Sequence, residues 1–229
     1  MVVSEWMGYG LLFETMLPSV LSARDRFMNE GGTMWPNKCS MFIEGVRDRR
    51  TEFWDDVYGI DMGVMKKEAM SSLSKDAIVE AVDPQTICST RECMWNCDLN
   101  TVKDEELDYD CAPVITVAQP LNDDAKDFRL DALTVSFDID FDLGLPGTEK
   151  VSFSTGCQSK TTHWYQTLLW LEPSTVPTVT AGDKVETKIR VERETLNHRD
   201  ISFTVEWKVL GRAESAEKSW GKQKWTIIS

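Results

Sequence analysis

The sequence predicts a mainly β protein of the α+β class: an antiparallel, distorted β-barrel or sandwich preceded by a short helical region. Two runs carry most of this expectation. Leu133, Val135, Phe137, Ile139 and Phe141 alternate with Thr134, Ser136, Asp138 and Asp140, and Ile201, Phe203, Val205, Trp207 and Val209 alternate with Ser202, Thr204, Glu206 and Lys208. Alternation with a period of two gives a strand one dry and one wet face. Turn-forming clusters punctuate the region at Asn122-Asp123-Asp124, Leu145-Pro146-Gly147, Ala181-Gly182-Asp183 and Asn197-His198-Arg199-Asp200. Many antiparallel strands at such spacing point to a sandwich or barrel. Helical spacing, by contrast, is confined to the first third of the chain.

Taken in order, the chain opens on a short apolar run holding Gly8 and Gly10, flanked by Glu5 and Glu14. Glycine lets the backbone turn back on itself there. Met16, Val20, Ala23 and Phe27 then recur at helical spacing, with Leu17, Leu21 and Met28 widening the stripe. Pro18 fits if Thr15 is the N-cap, because a first-turn residue has no intrahelical N–H bond to lose. Glu14 then lies just outside the helix, near the positive end of its dipole. Asn29-Glu30-Gly31-Gly32 ends the helix. A turn at Trp35-Pro36-Asn37 leads to a strand from about Cys39. The aromatic block Phe53 to Met62 with Met65-Lys66-Lys67 reads as short helices with one apolar face, whose expected cover is the chain's own interior. Ile78 to Pro84 begins the β region, and Lys218 to Lys224 is a basic tail that reads as a solvated edge or final hairpin.

Composition narrows the function. At 229 residues with 41% apolar and 28% charged side chains, the chain can bury one sizeable core. The net charge of −13 disfavours nucleic acid as a partner, since phosphate binding needs basic patches. It suits basic peptides, which a negative field would steer inward. No run approaches the ~20 apolar residues of a membrane helix, so no membrane partner is expected, and no signal-peptide pattern opens the chain. Cys39, Cys88, Cys93, Cys97, Cys111 and Cys157 then read as reduced thiols in a cytoplasmic or nuclear protein. Cys88, Cys93 and Cys97 are close in sequence, but they lack the second Cys pair or histidine companions of a zinc site, so no metal is expected.

Glu5 and Glu14 are the first candidates for chemistry. Two carboxylates sharing one small volume match the planar fork of donors on a guanidinium. They would also serve a glycosidase as acid and nucleophile. A bland reading, two surface carboxylates in an acidic protein, stands beside both. The second candidate is His163, in Thr161-Thr162-His163-Trp164-Tyr165 after Val151-Ser152-Phe153-Ser154-Thr155-Gly156.

Ser4-Glu5-Trp6-Met7-Gly8-Tyr9, followed by Glu14 and Met16, resembles the double-glutamate hairpin of the protein arginine N-methyltransferases. Thr162-His163-Trp164 resembles that family's Thr-His-Trp loop, and Phe53-Trp54-Asp55-Asp56-Val57-Tyr58-Gly59 its dimerisation arm. The resemblance implies catalytic roles for Glu5 and Glu14, which would grip the substrate guanidinium, and for His163 as proton relay or structural partner. Met7 and Trp164 would line the substrate pocket. It implies S-adenosyl-L-methionine as cosubstrate, arginine-rich proteins as substrates, asymmetric dimethylation, and a leaning towards the zinc-finger-bearing third subfamily. It divides the chain into residues 1–46, a remnant of a Rossmann-like methyltransferase domain, and 47–229, a β-barrel substrate domain with a helical arm at about 51–75. The family's glycine-rich cofactor turn has no counterpart here, so these residues resemble a C-terminal half that is inactive alone. A homodimer is the family's state, doubtful where the arm's docking surface is missing. The alternative is a non-catalytic protein- or peptide-binding module of the same descent. Pro18 departs from the family pattern, and the acidic partner of the histidine is missing.

Overall fold

The computed structural model describes residues 1–121, 123–142, 149–210 and 220–228. Of the expected turns, Asn122 and Leu145-Pro146-Gly147 lie outside the described residues, as do Lys218 and Ser219 of the basic tail.

The chain begins with a small parallel pair. Strand β1 (Val2–Val3) lies beside β2 (Met34–Trp35), with Val2 opposite Met34, and helix α1 (Leu17–Phe27) makes the crossover between them. α1 buries Leu17, Val20, Leu21 and Arg24. The Arg24 guanidinium Nη1 donates to the carbonyls of Leu99 and Val102 at 2.8 Å each, fastening the helix to the β region. The helix start differs from expectation. Met16 is the N-cap, without a side-chain cap bond, and Thr15 has a left-handed φ of 49°. Its hydroxyl instead donates to the carbonyl of His198 at 2.7 Å. A long-range bond has outcompeted the local cap, leaving Pro18 in the first turn as expected.

Two antiparallel sheets form the body. The first has the order β4 (Ile78–Glu80), β11 (Gln166–Trp170), β9 (Ala132–Phe141), β3 (Lys38–Val46) and β5 (Glu92–Asp98), with β10 (Val151–Ser154) paired to β9. The second has β15 (Gly221–Ile227), β14 (Ile201–Leu210), β13 (Lys184–Arg193) and β6 (Tyr109–Cys111), with β7 (Val114–Thr116) on β13. A short pair, β8 (Asp127–Arg129) with β12 (Thr178–Thr180), stands apart. Between the large sheets lies one core, with Met41, Ile43, Val135, Phe137 and Ile139 meeting Val185, Ile189, Phe203, Val205 and Trp225.

The sandwich half of the expectation holds, and the barrel half does not. Among the described residues the sheets meet at corners by separate bonds, such as Ala77 N–H to Thr226 C=O at 3.1 Å and Ala118 N–H to Cys88 C=O at 2.8 Å. Among these residues no continuous ladder closes them into a barrel. The wet face expected for residues 133–141 is also corrected. Thr134 and Ser136 are buried, because on that side of the sheet Met70 of the following helical segment, with Val82 and Cys157, joins the sheet's own Val46, Ala132, Leu168 and Trp170 in a second apolar cluster. The hydroxyl of Thr134 finds no partner there.

The arm comprises a 3₁₀ segment Arg49–Asp55, a turn closed between Val57 and Ile60, and helix α2 (Gly63–Leu73). Most of its apolar residues do not turn into the chain's interior. Met70 is the one buried residue of α2, while Phe53, Tyr58, Ile60, Val64 and Met65 are exposed. A single apolar face explains this stretch only if something other than this chain covers it.

The root of the arm is ionic. Buried Arg47 donates from Nη1 to Asp131 at 2.9 Å and from Nε to Asp123 at 3.1 Å, and pairs with Glu52. Asp131, 1% exposed, also accepts the backbone N–H of Asp48 at 3.0 Å. Burial pushes the Asp131 carboxyl above the usual range despite the opposing pull of Arg47.

Candidate functional site: the carboxylate hairpin and the loop beneath it

The first candidate stretch folds back as expected. Gly8 and Leu11 exchange backbone hydrogen bonds at 2.9 and 3.1 Å around Tyr9 and Gly10. Both glycines are required, for different reasons. A Cβ at Gly8 would stand 2.0 Å from the Phe13 carbonyl oxygen, and Gly10 has a φ of +53°. Gly10 also comes close to the side chains of Phe203 and Ile227, so the tip rests on β14 and β15. Trp6, Met7, Leu11, Leu12 and Phe13 are buried, and they hold the hairpin to the core.

Glu5 and Glu14 sit symmetrically, three residues before Gly8 and three after Leu11, and both are exposed. Their surroundings differ. No described residue donates to Glu5, whereas Glu14 Oε1 accepts from Arg199 Nη2 at 3.1 Å. Leu11, Glu14 and Thr15 have φ of 69°, 70° and 49°, a left-handed region that non-glycine residues enter at a cost of ~1–3 kcal/mol each. Such strain persists only where neighbouring structure enforces it.

The second candidate stretch lies against the first. Trp164, half-buried, donates from Nε1 to the carbonyl of Met7 at 2.8 Å. Its ring stacks on Phe153 (centroids 5.4 Å, planes 11°) and meets Phe137 edge-on at 5.8 Å. His163 is exposed, with its ring centroid 3.8 Å from that of Trp164, and no described carboxylate pairs with it. The fold thus brings Met7 and Trp164 into direct contact and leaves Glu5, Glu14 and His163 open to solvent. The unpartnered Trp6 Nε1 is buried close by in sequence, as is the Thr162 hydroxyl.

Sequence reasoning missed Arg199. Asn197-His198-Arg199-Asp200 was legible as a turn, but nothing local ties it to a hairpin 185 positions away. Arg47 was missed for the same reason.

Among the described residues no group of cysteines, histidines or carboxylates has metal-binding geometry, and the six thiols are free. Nor does the hairpin backbone offer a nucleoside cosubstrate a run of free N–H groups. The backbone N–H groups of Gly8, Leu11, Leu12, Phe13 and Glu14 are spent on carbonyls of the chain itself. A cavity of about 160 Å³ at the root of the arm, lined by Thr51, Lys66, Lys67, Met70 and Arg129, shares no residue with the hairpin. It is also below the ~300 Å³ at which ligand pockets begin.

Fold and site together define a two-sheet module that carries a hairpin flanked by two exposed carboxylates and an exposed helical arm. Residues 37–212 match the arginine methyltransferase oligomerization subdomain. A probable protein arginine N-methyltransferase 1.2 from Arabidopsis thaliana is 32% identical over 216 residues, 92% of this chain and 55% of that protein. Protein arginine N-methyltransferase 1.1 from the same plant is 34% identical over 92% of this chain and 51% of its own length. The Trypanosoma brucei PRMT1 enzyme–prozyme heterotetrameric complex with AdoHcy superposes with a TM-score of 0.78 at 30% identity, covering 99% of this chain and 67% of that one. Arabidopsis protein arginine methyltransferase 10 gives a TM-score of 0.79 at 25% identity, covering 99% and 70%. The chain belongs to the protein arginine N-methyltransferase family. It spans about half the length of the curated relatives it matches.

Proposed function

We propose that these residues form the substrate-holding part of a protein arginine N-methyltransferase, one that transfers methyl groups from S-adenosyl-L-methionine to guanidinium nitrogens of arginine-rich proteins with asymmetric dimethylation. The observation that carries the reading is the 2.8 Å bond from Trp164 to Met7, by which a loop of the β region is built into the carboxylate hairpin. An exposed Glu5 and Glu14 on one hairpin can take a guanidinium between them, fix its orientation and draw positive charge from the nitrogen that attacks. Orientation of this kind is worth up to ~7–11 kcal/mol of a barrier. In this reading the part of these residues is confined to the guanidinium, and this chain alone is expected neither to retain S-adenosyl-L-methionine nor to turn over.

The parallel β1–β2 pair with its crossover α1 supports reading residues 1–46 as part of a Rossmann-like domain. The exposed Phe53, Ile60 and Val64 support a dimer made through the arm. A cytoplasmic or nuclear setting agrees with six free thiols. A second reading, a non-catalytic module that binds basic peptides, is favoured by the pairing of Glu14 with an arginine of its own chain.

The test is methyl transfer to an arginine-rich peptide by the complete enzyme. Glu5→Gln and Glu14→Gln should each lower kcat by at least a hundredfold and leave cosubstrate affinity within threefold. Equal losses of both would remove the assigned role, and binding of the peptide without transfer would favour the second reading.

A further inference from the structure

Glu14 and Thr15 are consecutive non-glycine residues in the left-handed region, with φ of 70° and 49°. What holds them there lies outside the hairpin. The Glu14 backbone N–H donates to the carbonyl of Arg199 at 2.9 Å, and the Thr15 hydroxyl donates to the carbonyl of His198 at 2.7 Å. The Arg199 guanidinium reaches back to Glu14 Oε1 at 3.1 Å. Backbone and side chain of one glutamate are therefore held by one residue.

The turn that supplies these contacts has hydrogen bonds of its own. Asp200 N–H donates to the carbonyl of Asn197 at 3.0 Å, Asn197 Oδ1 accepts the N–H of Arg199 at 3.2 Å, and Asn197 Nδ2 donates to Asp200 Oδ1 at 3.0 Å. It joins β13 and β14, which pair without a break from Lys184↔Leu210 to Arg193↔Ile201. A strained segment persists only where the surrounding structure over-determines it, and this turn supplies three bonds to Glu14 and Thr15. The pairing also leaves Glu14 Oε2 without a donor among the described residues, so one carboxylate oxygen is fixed while the other stays open to an incoming guanidinium.

We propose that the Asn197–Asp200 turn is a clamp that positions the second hairpin glutamate, with Arg199 as its positioning residue. This rests on the guanidinium-binding reading above. Arg199 does not touch the reacting atoms. It sets the direction of the carboxylate that does.

Two measurements test it. In this chain, amide hydrogen exchange at Glu14 and Thr15 should rise at least tenfold in Arg199→Ala, with exchange at Leu169 of β11 unchanged. In the complete enzyme, Arg199→Ala should lower kcat at least tenfold with little change in KM for the cosubstrate, and Arg199→Lys should recover part of the loss. Unchanged exchange at Glu14, or wild-type kcat in Arg199→Ala, overturns the proposal. Loss of protection throughout the chain would mean that Arg199 supports the fold rather than the glutamate, which also overturns it. If the unmutated enzyme transfers no methyl group, the methyltransferase reading fails, and exchange alone decides the clamp.

Discussion

The indole N–H of Trp164 donates to the carbonyl of Met7 at 2.8 Å, across 157 positions of sequence. One end of this bond lies in the hairpin that presents Glu5 and Glu14. The other belongs to a ring stacked on Phe153 of the six-stranded sheet. The hairpin is therefore not a free loop, and its position is inherited from the sheet.

Trp164→Phe keeps the ring stack and removes the donor. A net hydrogen bond is worth ~0.5–1.5 kcal/mol. The variant should lose about 1 kcal/mol in urea unfolding at unchanged m-value, and the complete enzyme should bind peptide more weakly. Full wild-type stability and peptide affinity together would mean that the bond contributes to neither.

Gly8→Ala should be far more damaging than its size suggests. The added Cβ would meet the Phe13 carbonyl oxygen at 2.0 Å, a backbone atom that cannot swing aside. Overpacking of this kind costs ~1–3 kcal/mol. Gly63→Ala is the control, since its φ is not left-handed and the atoms near its Cβ, at 3.0 Å and beyond, belong to the Asp61 side chain, which can turn away. Thermal unfolding of the two variants should rank Gly8→Ala well below Gly63→Ala.

Arg47→Met should leave Asp131 buried without its main partner, a loss of ~3–5 kcal/mol when one member of a buried pair is removed. Burial already raises the Asp131 carboxyl above its ordinary value, and only Arg47, Arg129 and the Asp48 N–H oppose it. Without Arg47 the folded-state value rises further. The folded variant then binds a proton more tightly than the unfolded chain, so its stability falls as pH rises through that window. The deficit against wild type should be larger at pH 7 than at pH 4. A deficit independent of pH would show that lost packing, not the unpaired charge, is responsible.

Asp108 should behave in the opposite sense. Burial raises its carboxyl, but the Arg193 hydrogen bonds, including Nη2 to Oδ2 at 2.6 Å, outweigh this and hold it below the ordinary range. A depressed value means stability present above the unfolded value near 3.8 and lost as pH falls below it. Arg193→Gln should flatten that acid limb of the stability–pH curve. An unchanged limb would assign acid sensitivity to other carboxylates.

Much of the architecture was legible because it is local. Alternation at Leu133–Phe141 and Ile201–Val209 named the two long central strands, β9 and β14, and Gly8 with Gly10 named a tight reversal. The wet face of Thr134 and Ser136 was misread because alternation reports polarity, and the apolar neighbours on that side, Met70 of α2 with Val46 and Leu168 of the adjoining strands, come from other elements. Thr15 was misread as a helix cap because a hydroxyl's best local partner was displaced by the distant carbonyl of His198.

The sequence by itself determined the long strands β9 and β14, the reversal at Gly8 and Gly10, and the family, because each depends on residues within a few positions of one another. The tertiary structure alone decided that the described sheets meet at their corners by separate bonds rather than by a continuous ladder, that the arm keeps Phe53 and Val64 in solvent, and that Arg199 grips Glu14. Those outcomes are contacts between segments far apart in the chain. Which distant partner wins depends on the whole packing geometry, and no short window of sequence contains it.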